Sequence, residues 1–208
     1  VVESQFNSKG VISPGMSVTH LAAGTRFPGY FEAVVENGGD LDAVNGQGEA
    51  PLHILIRARI DIDLKIRRLE LLISKGAKLD EFNGLESTPT MLAVQFFGQY
   101  AIALKLLEAG ASATACRPES NRRLVHAVVR EQSTKRASEP KKKATLAKII
   151  QVLEENGESL DEARDDLDRW AKWTQYSAEK RKELMKNEVE ARTARLKSQK
   201  LEPKSDLK

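Results

Sequence analysis

The chain has 208 residues, enough for one ordinary domain or one elongated array with an appendage. Hydrophobic residues at 40% and charged residues at 30% allow a core beneath a heavily charged surface, while a net charge of +3 and 5% aromatics argue against nucleic acid as a partner. The single Cys116 excludes an intrachain disulfide framework and a cysteine-built zinc cage, and no segment reaches the ~18 apolar residues of a membrane span.

The chain opens "VVESQFN", without an initiator Met and without a visible signal peptide. The expectation is that a segment upstream has been removed and that the chain begins inside a structural unit. The next stretch, "MSVTHLAAG", leads into "FEAVVENGGDLDA". The same text then recurs: "EAPLHILIR" leads to "RLELLISKGAKLD", "STPTMLAVQ" to "IALKLLEAGASAT", and "RRLVHAVVR" to "IIQVLEENGESLD". His20, His53, Met91 and His126 occupy one slot, at intervals of 33, 38 and 35 residues. Self-similarity at such a period is the mark of a stacked repeat architecture.

Each unit reads as two short helices and a turn. Pro51 and Pro89 suit the first helical position, where a missing N–H costs nothing, and Ser17 and Thr88 suit the N-cap before it. Ala50 and Arg123 hold the same slot without a capping oxygen, so those two starts are expected to be weaker. The second helices carry apolar groups at helical spacing: Phe31, Val34 and Val35, then Leu69, Leu71 and Leu72, then Leu104, Leu106 and Leu107, then Ile149, Ile150, Val152 and Leu153. Gly38, Gly76, Gly110 and Gly157 follow them as left-handed stops.

Two units are longer than the rest. "RARIDIDLKIRR" adds about one helical turn to the second. "EQSTKRASEPKKKATLAK" enlarges the fourth, with Lys135, Arg136, Lys141, Lys142 and Lys143 against Glu139. It reads as a solvated loop; the sharper alternative is electrostatic contact with an acidic partner or a phosphate surface.

Beyond Gly157, Ser159 and Glu162 form a capping box for a helix that starts acidic. Leu167, Trp170, Ala171 and Trp173 share a face of it. The two tryptophans are expected to cover the open end of the last unit, with a binding hot spot as the alternative. A further charged helix from Ser177, with a thin stripe of Leu184, Met185, Val189 and Leu196, is expected to fray near Pro203. The expected division is an array over 1–160, a capping helix over 161–176 and a charged helix or tail over 177–208.

The fold class is therefore all-α. The period, the Thr-Pro-Leu-His-like slot ("APLHILI", "TPTMLAV") and the Leu-Leu-Glu-x-Gly-Ala-like ending ("LLISKGAKLD", "LLEAGASA") resemble ankyrin repeats. That resemblance implies a solenoid of about four repeats plus a partial N-terminal one, closed by the C-terminal helix. It also implies that each slot imidazole hydrogen-bonds backbone across neighbouring turns. No P-loop, His-Glu-x-x-His, Gly-x-Gly-x-x-Gly or Gly-x-Ser-x-Gly motif is present, and the histidines lie a whole repeat apart. The expectation is a protein with no catalytic residue, metal ligand or cofactor, and hence no enzyme.

A solenoid offers instead a concave face of turn tips and first helices. The candidate partner-binding residues there are Asn45, Gln47 and Glu49 in one turn, and Phe82, Asn83, Leu85 and Glu86 in the next. Gln95, Phe97 and Tyr100 complete the set, with Phe97 and Tyr100 placed in the turn between helices as the best exposed.

A narrower likeness rests on "VTHLAAGTRFPGYFEAVVENGGDLDAVNGQGEAPLHILI", "QFFGQYAIALKLLEAGA" and "VLEENGESLDEARDDLDRWAKW", including Arg169, Trp170 and Trp173. These resemble bacterial ankyrin-repeat immunity proteins encoded beside type VI secretion lipase effectors, notably phospholipase D-type ones. The resemblance implies a protein partner, the cognate toxin, whose hydrolysis of phospholipid is blocked. It implies export to the periplasm, often as a lipoprotein, through a signal sequence absent from this chain; the alternative location is cytoplasmic. The Lys141–Lys143 insertion departs from the pattern and leaves open contact with toxin acids, with an anionic membrane, or with nothing. The alternative function is a generic ankyrin scaffold or a host-directed bacterial effector.

Overall fold

The computed structural model describes residues 14–27, 29–117 and 120–175, with 180, 182, 183, 185–187 and 190 beyond them. The expected partial unit over 1–13, Ser177, Leu184, Val189, Leu196 and Pro203 lie outside the described residues. The described residues are helical and contain no strand. The helices are α1 (Val18–Gly24), α2 (Tyr30–Glu36), α3 (Pro51–Arg57), α4 (Ile62–Ser74), α5 (Pro89–Gln95), α6 (Tyr100–Glu108), α7 (Leu124–Gln132), α8 (Pro140–Glu155) and α9 (Leu160–Gln175), with a 3-10 turn at Lys135–Ser138. None of them is long and apolar enough to cross a membrane.

Two compact units are present, Val1–Ala163 and Arg164–Lys208. In the first, the helices pair as hairpins, α1 with α2, α3 with α4, α5 with α6 and α7 with α8. The first helices α1, α3, α5 and α7 stack side by side, while α2 packs on α4 and α6 on α8. The core runs between these two layers through Leu52, Leu55, Ile56, Leu69, Leu72, Ile102, Leu106, Leu124 and Ile149, all fully buried. Each such side chain contributes about 1.5–3 kcal/mol by leaving water, and none could be buried by a lone hairpin. In α9, the Glu162 N–H donates to Ser159 Oγ at 3.3 Å; Trp170 and Trp173, in the second unit, are half-buried.

The helix starts show what the slot histidine does. Ser17 and Thr88 cap as expected, accepting from the N–H of His20 (3.4 Å) and Met91 (3.3 Å). Ala50 and Arg123, as expected, supply no side-chain cap, but their own N–H groups are engaged. The imidazole Nδ1 of His53 accepts the Ala50 N–H, and that of His126 the Arg123 N–H, each at 3.1 Å. His20 does the same for the Ser17 N–H at 3.1 Å. Histidine at the third helical position thus takes the reach-back role that Glu or Gln plays in a capping box.

The enlarged second unit is an ordered helix. Asp61 Oδ1 caps α4 by accepting from Asp63 (2.9 Å) and Leu64 (3.3 Å). One turn of α4 carries two cations into the interior. Lys65 Nζ donates to Ile56 O at 2.7 Å and to Gln99 Oε1 at 3.2 Å, and burial pushes its pKa down to about 8. Arg68, fully buried, donates to Thr25 O (2.6 Å) and Phe27 O (3.1 Å) and stacks over Phe31 with 5.2 Å to the ring centroid. It therefore ties the α1–α2 connection to α4.

The basic insertion of the fourth unit is a correction. It is not a loop: Thr134 caps the 3-10 turn, Pro140 opens α8, and Lys141, Lys142 and Lys143 lie in the first turn of that helix. Lysine is a good helix former and proline is preorganised for the first helical position; Lys141 and Lys143 remain solvent-exposed, as expected. Arg136 is committed within the fold. It makes a bidentate pair with Glu131 (2.6 and 2.9 Å) and donates to Gln95 O (3.0 Å) and Phe96 O (3.3 Å).

Candidate functional site

The turns ahead of the first helices are built to one plan. Asn45 Oδ1 accepts from the N–H of Gln47 (2.8 Å) and Glu49 (3.0 Å), and Asn83 Oδ1 from Leu85 and Ser87 (3.0 Å each). One residue further on, glycine lets neighbouring turns touch: Gly46 N–H donates to Pro14 O at 2.6 Å and Gly84 N–H to Gln47 O at 2.7 Å. A Cβ at either glycine would fall 2.9 Å from that carbonyl. The left-handed residue of each turn recurs at the intervals of the histidine slot: Gly15 (φ 79°), Gly48 (φ 69°), Glu86 (φ 57°) and Asn121 (φ 49°).

Two imidazoles lock these turns together. His20 Nε2–H donates to Glu49 O at 2.7 Å, and His53 Nε2–H to Ser87 O at 3.3 Å, each reaching from one unit to the turn of the next. With Nδ1 already accepting an N–H, the neutral Nε2–H tautomer satisfies both ring nitrogens. Burial lowers the pKa of His53, outweighing the upward pull of the Ser87 carbonyl and the Glu49 carboxylate.

Beside the turns runs an open groove of about 470 Å³, lined by Gln47, Glu49, Arg57, Asn83, Gly84, Leu85, Leu92, Phe96 and Phe97. A second depression of about 370 Å³ shares Gln47, Glu49 and Arg57 with it and extends to Met16, Gly24 and Ile54. The Arg57–Glu49 ion pair (2.5 Å) stands where the two meet. Exposed apolar side chains stand there beside the polar Gln47, Glu49, Arg57 and Asn83, a mix suited to a recognition patch. Leu85 is 62% exposed, Phe96 46% and Phe97 39%.

Of the sequence candidates, Gln47, Glu49, Asn83, Leu85 and Phe97 line this groove. Several do so differently from the expectation. Asn45, Asn83 and Glu49 are buried; the asparagines build the turns, and Glu49 holds Arg57. Tyr100 is a correction, because α6 begins at it and turns its ring inward. It is 2% exposed, and its hydroxyl donates to Glu131 Oε2 at 2.6 Å. Burial first, and then that carboxylate, push its pKa up to about 12. Phe82 is half-buried beneath Arg117, 5.1 Å from the ring centroid, while Glu86 and Gln95 are half-exposed and outside the groove lining.

Arg57 is not among the sequence candidates, and Phe96 belongs to the third unit's aromatic cluster without being singled out. Both were findable: Arg57 lies four residues after His53, on the face that the slot histidine defines, and Phe96 precedes Phe97 in an apolar pair at a helix end. Compared with known proteins, the chain matches no family model and no curated relative in sequence.

Proposed function

We propose that this protein is an ankyrin-repeat immunity protein. Its turn face binds a cognate type VI secretion phospholipase effector and occludes it, without chemistry of its own. The observation that carries the binding reading is the groove itself. Apolar side chains at Leu85, Phe96 and Phe97 stand exposed beside turns held by Asn45, Asn83, His20 and His53. A rigid, pre-built surface binds without the entropy of ordering it. The slot histidines support a non-catalytic reading, since their ring nitrogens are engaged with backbone groups of the turns. The ankyrin assignment rests on the resemblance of the repeats, and it is supported by hairpins stacked in register with left-handed turns at the repeat interval.

The periplasm is the proposed location, since that is where a phospholipid-cleaving effector would have to be met. The test is co-expression with the lipase encoded by the neighbouring gene. Stoichiometric co-purification and loss of lipase activity are expected. A neighbouring lipase that neither binds nor is inhibited would refute the immunity role. Binding to an unrelated protein would favour the scaffold reading.

A further inference from the structure

The slot histidines provide a frame for comparing equivalent inner-face positions. Four residues before and after each slot stand Met16 and Gly24, Glu49 and Arg57, Ser87 and Gln95, and Arg122 and Arg130. In the second unit these positions meet as an ion pair, Arg57 Nη1 to Glu49 Oε1 at 2.5 Å. The fourth unit repeats the local geometry. Arg123 takes the N-cap and donates its N–H to His126 Nδ1 at 3.1 Å, as Ala50 does to His53. Asn121 is left-handed where Gly48 is. The backbone that brings Glu49 to Arg57 therefore brings Arg122 toward Arg130, but here both side chains are cations. Both residues are exposed, and among the described residues neither has an ion-pair partner. Partial burial, and then the charge of Arg122, lower the pKa of Arg130.

We propose that Arg122 and Arg130 form a fork for a carboxylate supplied by a protein partner, standing where Glu49 stands for Arg57. The equivalent positions thus hold an acid and a base in the second unit and two bases in the fourth. Guanidinium groups bind carboxylates in planar, bidentate fashion, and the residue at the Arg130-equivalent position, Arg57, already holds one. A polypeptide rather than a phosphate surface is favoured by what lies alongside. Helix α5, which packs on α7, carries Leu92 of the groove lining and is followed directly by Phe96. Neighbouring helices lie about 8–10 Å apart, and an extended chain advances roughly 3.3 Å per residue. An acidic residue about three positions from a bulky apolar one would engage both features. This inference deepens the protein-binding reading and rests on it, not on the identity of the partner.

The test is selection of random displayed dodecapeptides on the immobilised full chain at low salt, with Arg122→Gln/Arg130→Gln selected in parallel. The wild type is expected to enrich peptides bearing Asp or Glu about three residues from Leu, Phe or Trp. Affinity of the best peptide should drop at least tenfold on the double variant, and equally when the peptide's acid becomes its amide; combining the two changes should add little. The variant should melt no lower than wild type. Arg122→Glu, which rebuilds the internal pair with Arg130, should melt higher and lose the acid preference. Enrichment of peptides without an acid, or equal binding to the double variant, overturns the fork and leaves the groove reading standing. No enrichment at all counts against both. Phosphatidylglycerol vesicles that bind the wild type and not the double variant, with no acidic peptide selected, would reassign the fork to phosphate and overturn the proposal.

Discussion

His53 holds two unlike groups at once, the N–H of Ala50 and the carbonyl of Ser87, and it can do so only as the neutral tautomer. Replacing it by Ala orphans both groups, and each unpaired buried backbone group costs about 1–3 kcal/mol. His53→Ala should therefore lower the urea-unfolding free energy by about 2 kcal/mol or more. The pH dependence follows from the lowered pKa. In the unfolded chain the ring protonates near its ordinary value of 6.5, and in the folded chain only at lower pH. The stability it contributes is thus fully present above 6.5 and is lost as pH falls from there through the folded pKa. His53→Gln, which does not titrate, should show a smaller loss over that window, so the gap between the two proteins should narrow as the solution is acidified. Glu86 is a residue-scale exception of another kind. It sits at φ 57°, where the equivalent turns use Gly15, Gly48 and Asn121. A left-handed conformation costs a residue with a Cβ roughly 1–2 kcal/mol, and glycine's extra freedom in the unfolded chain offsets about half of this. Glu86→Gly should raise unfolding free energy by about 0.5–1 kcal/mol in chemical denaturation; no gain would mean the Glu86 side chain stabilises the turn.

At the scale of elements, α4 shows where pattern reading stops. Its apolar residues, Leu69 and Leu72, were legible from spacing, as were the stops at Gly76 and Gly110 and the caps at Ser17 and Thr88. Arg68 was not, because a lone arginine on a charged helix reads as solvated. Its burial depends on carbonyls of Thr25 and Phe27, some 40 residues earlier, that only the assembled fold brings near. The same limit hid Tyr100, whose partner Glu131 belongs to the next unit, and the order of Lys141–Lys143, whose helix is set by Pro140 and by packing of Leu146 and Ile149. In the candidate site, the exposed turn tips were legible, and the asparagines within them were misjudged because turn-building and partner-binding draw on the same polar residues. Arg68 yields a direct check. Arg68→Met removes two hydrogen bonds and a charge facing Glu32, and removing one partner from such a buried cluster costs about 3–5 kcal/mol. Arg67→Met, one residue away and exposed, should change the unfolding midpoint little. Equal effects of the two would mean that the α1–α2 connection does not depend on α4.

Over the whole stacked unit, the groups that hold the turns together differ from those the groove exposes. Asn45, Asn83, His20 and His53 face inward and bind the chain to itself, while Gln47, Leu85, Phe96 and Phe97 face the groove. That separation allows binding to be removed without unfolding. Leu85→Glu with Phe97→Glu places charge on exposed apolar positions of the groove and touches none of the turn hydrogen bonds. Exposed substitutions of this kind usually shift stability by no more than about 0.5 kcal/mol each, whereas loss of central apolar anchors weakens an interface by about 2 kcal/mol or more, some 30-fold in affinity. Asn83→Ala is the opposite case. It strips the two N–H groups of Leu85 and Ser87 of their acceptor, so it should lower the melting temperature and weaken binding together. Measured side by side, by thermal unfolding and by co-purification with the proposed effector, the first variant should lose the partner at unchanged melting temperature. If it instead keeps the partner while Asn83→Ala loses it, recognition runs through another surface and the groove is only a by-product of the stacked turns.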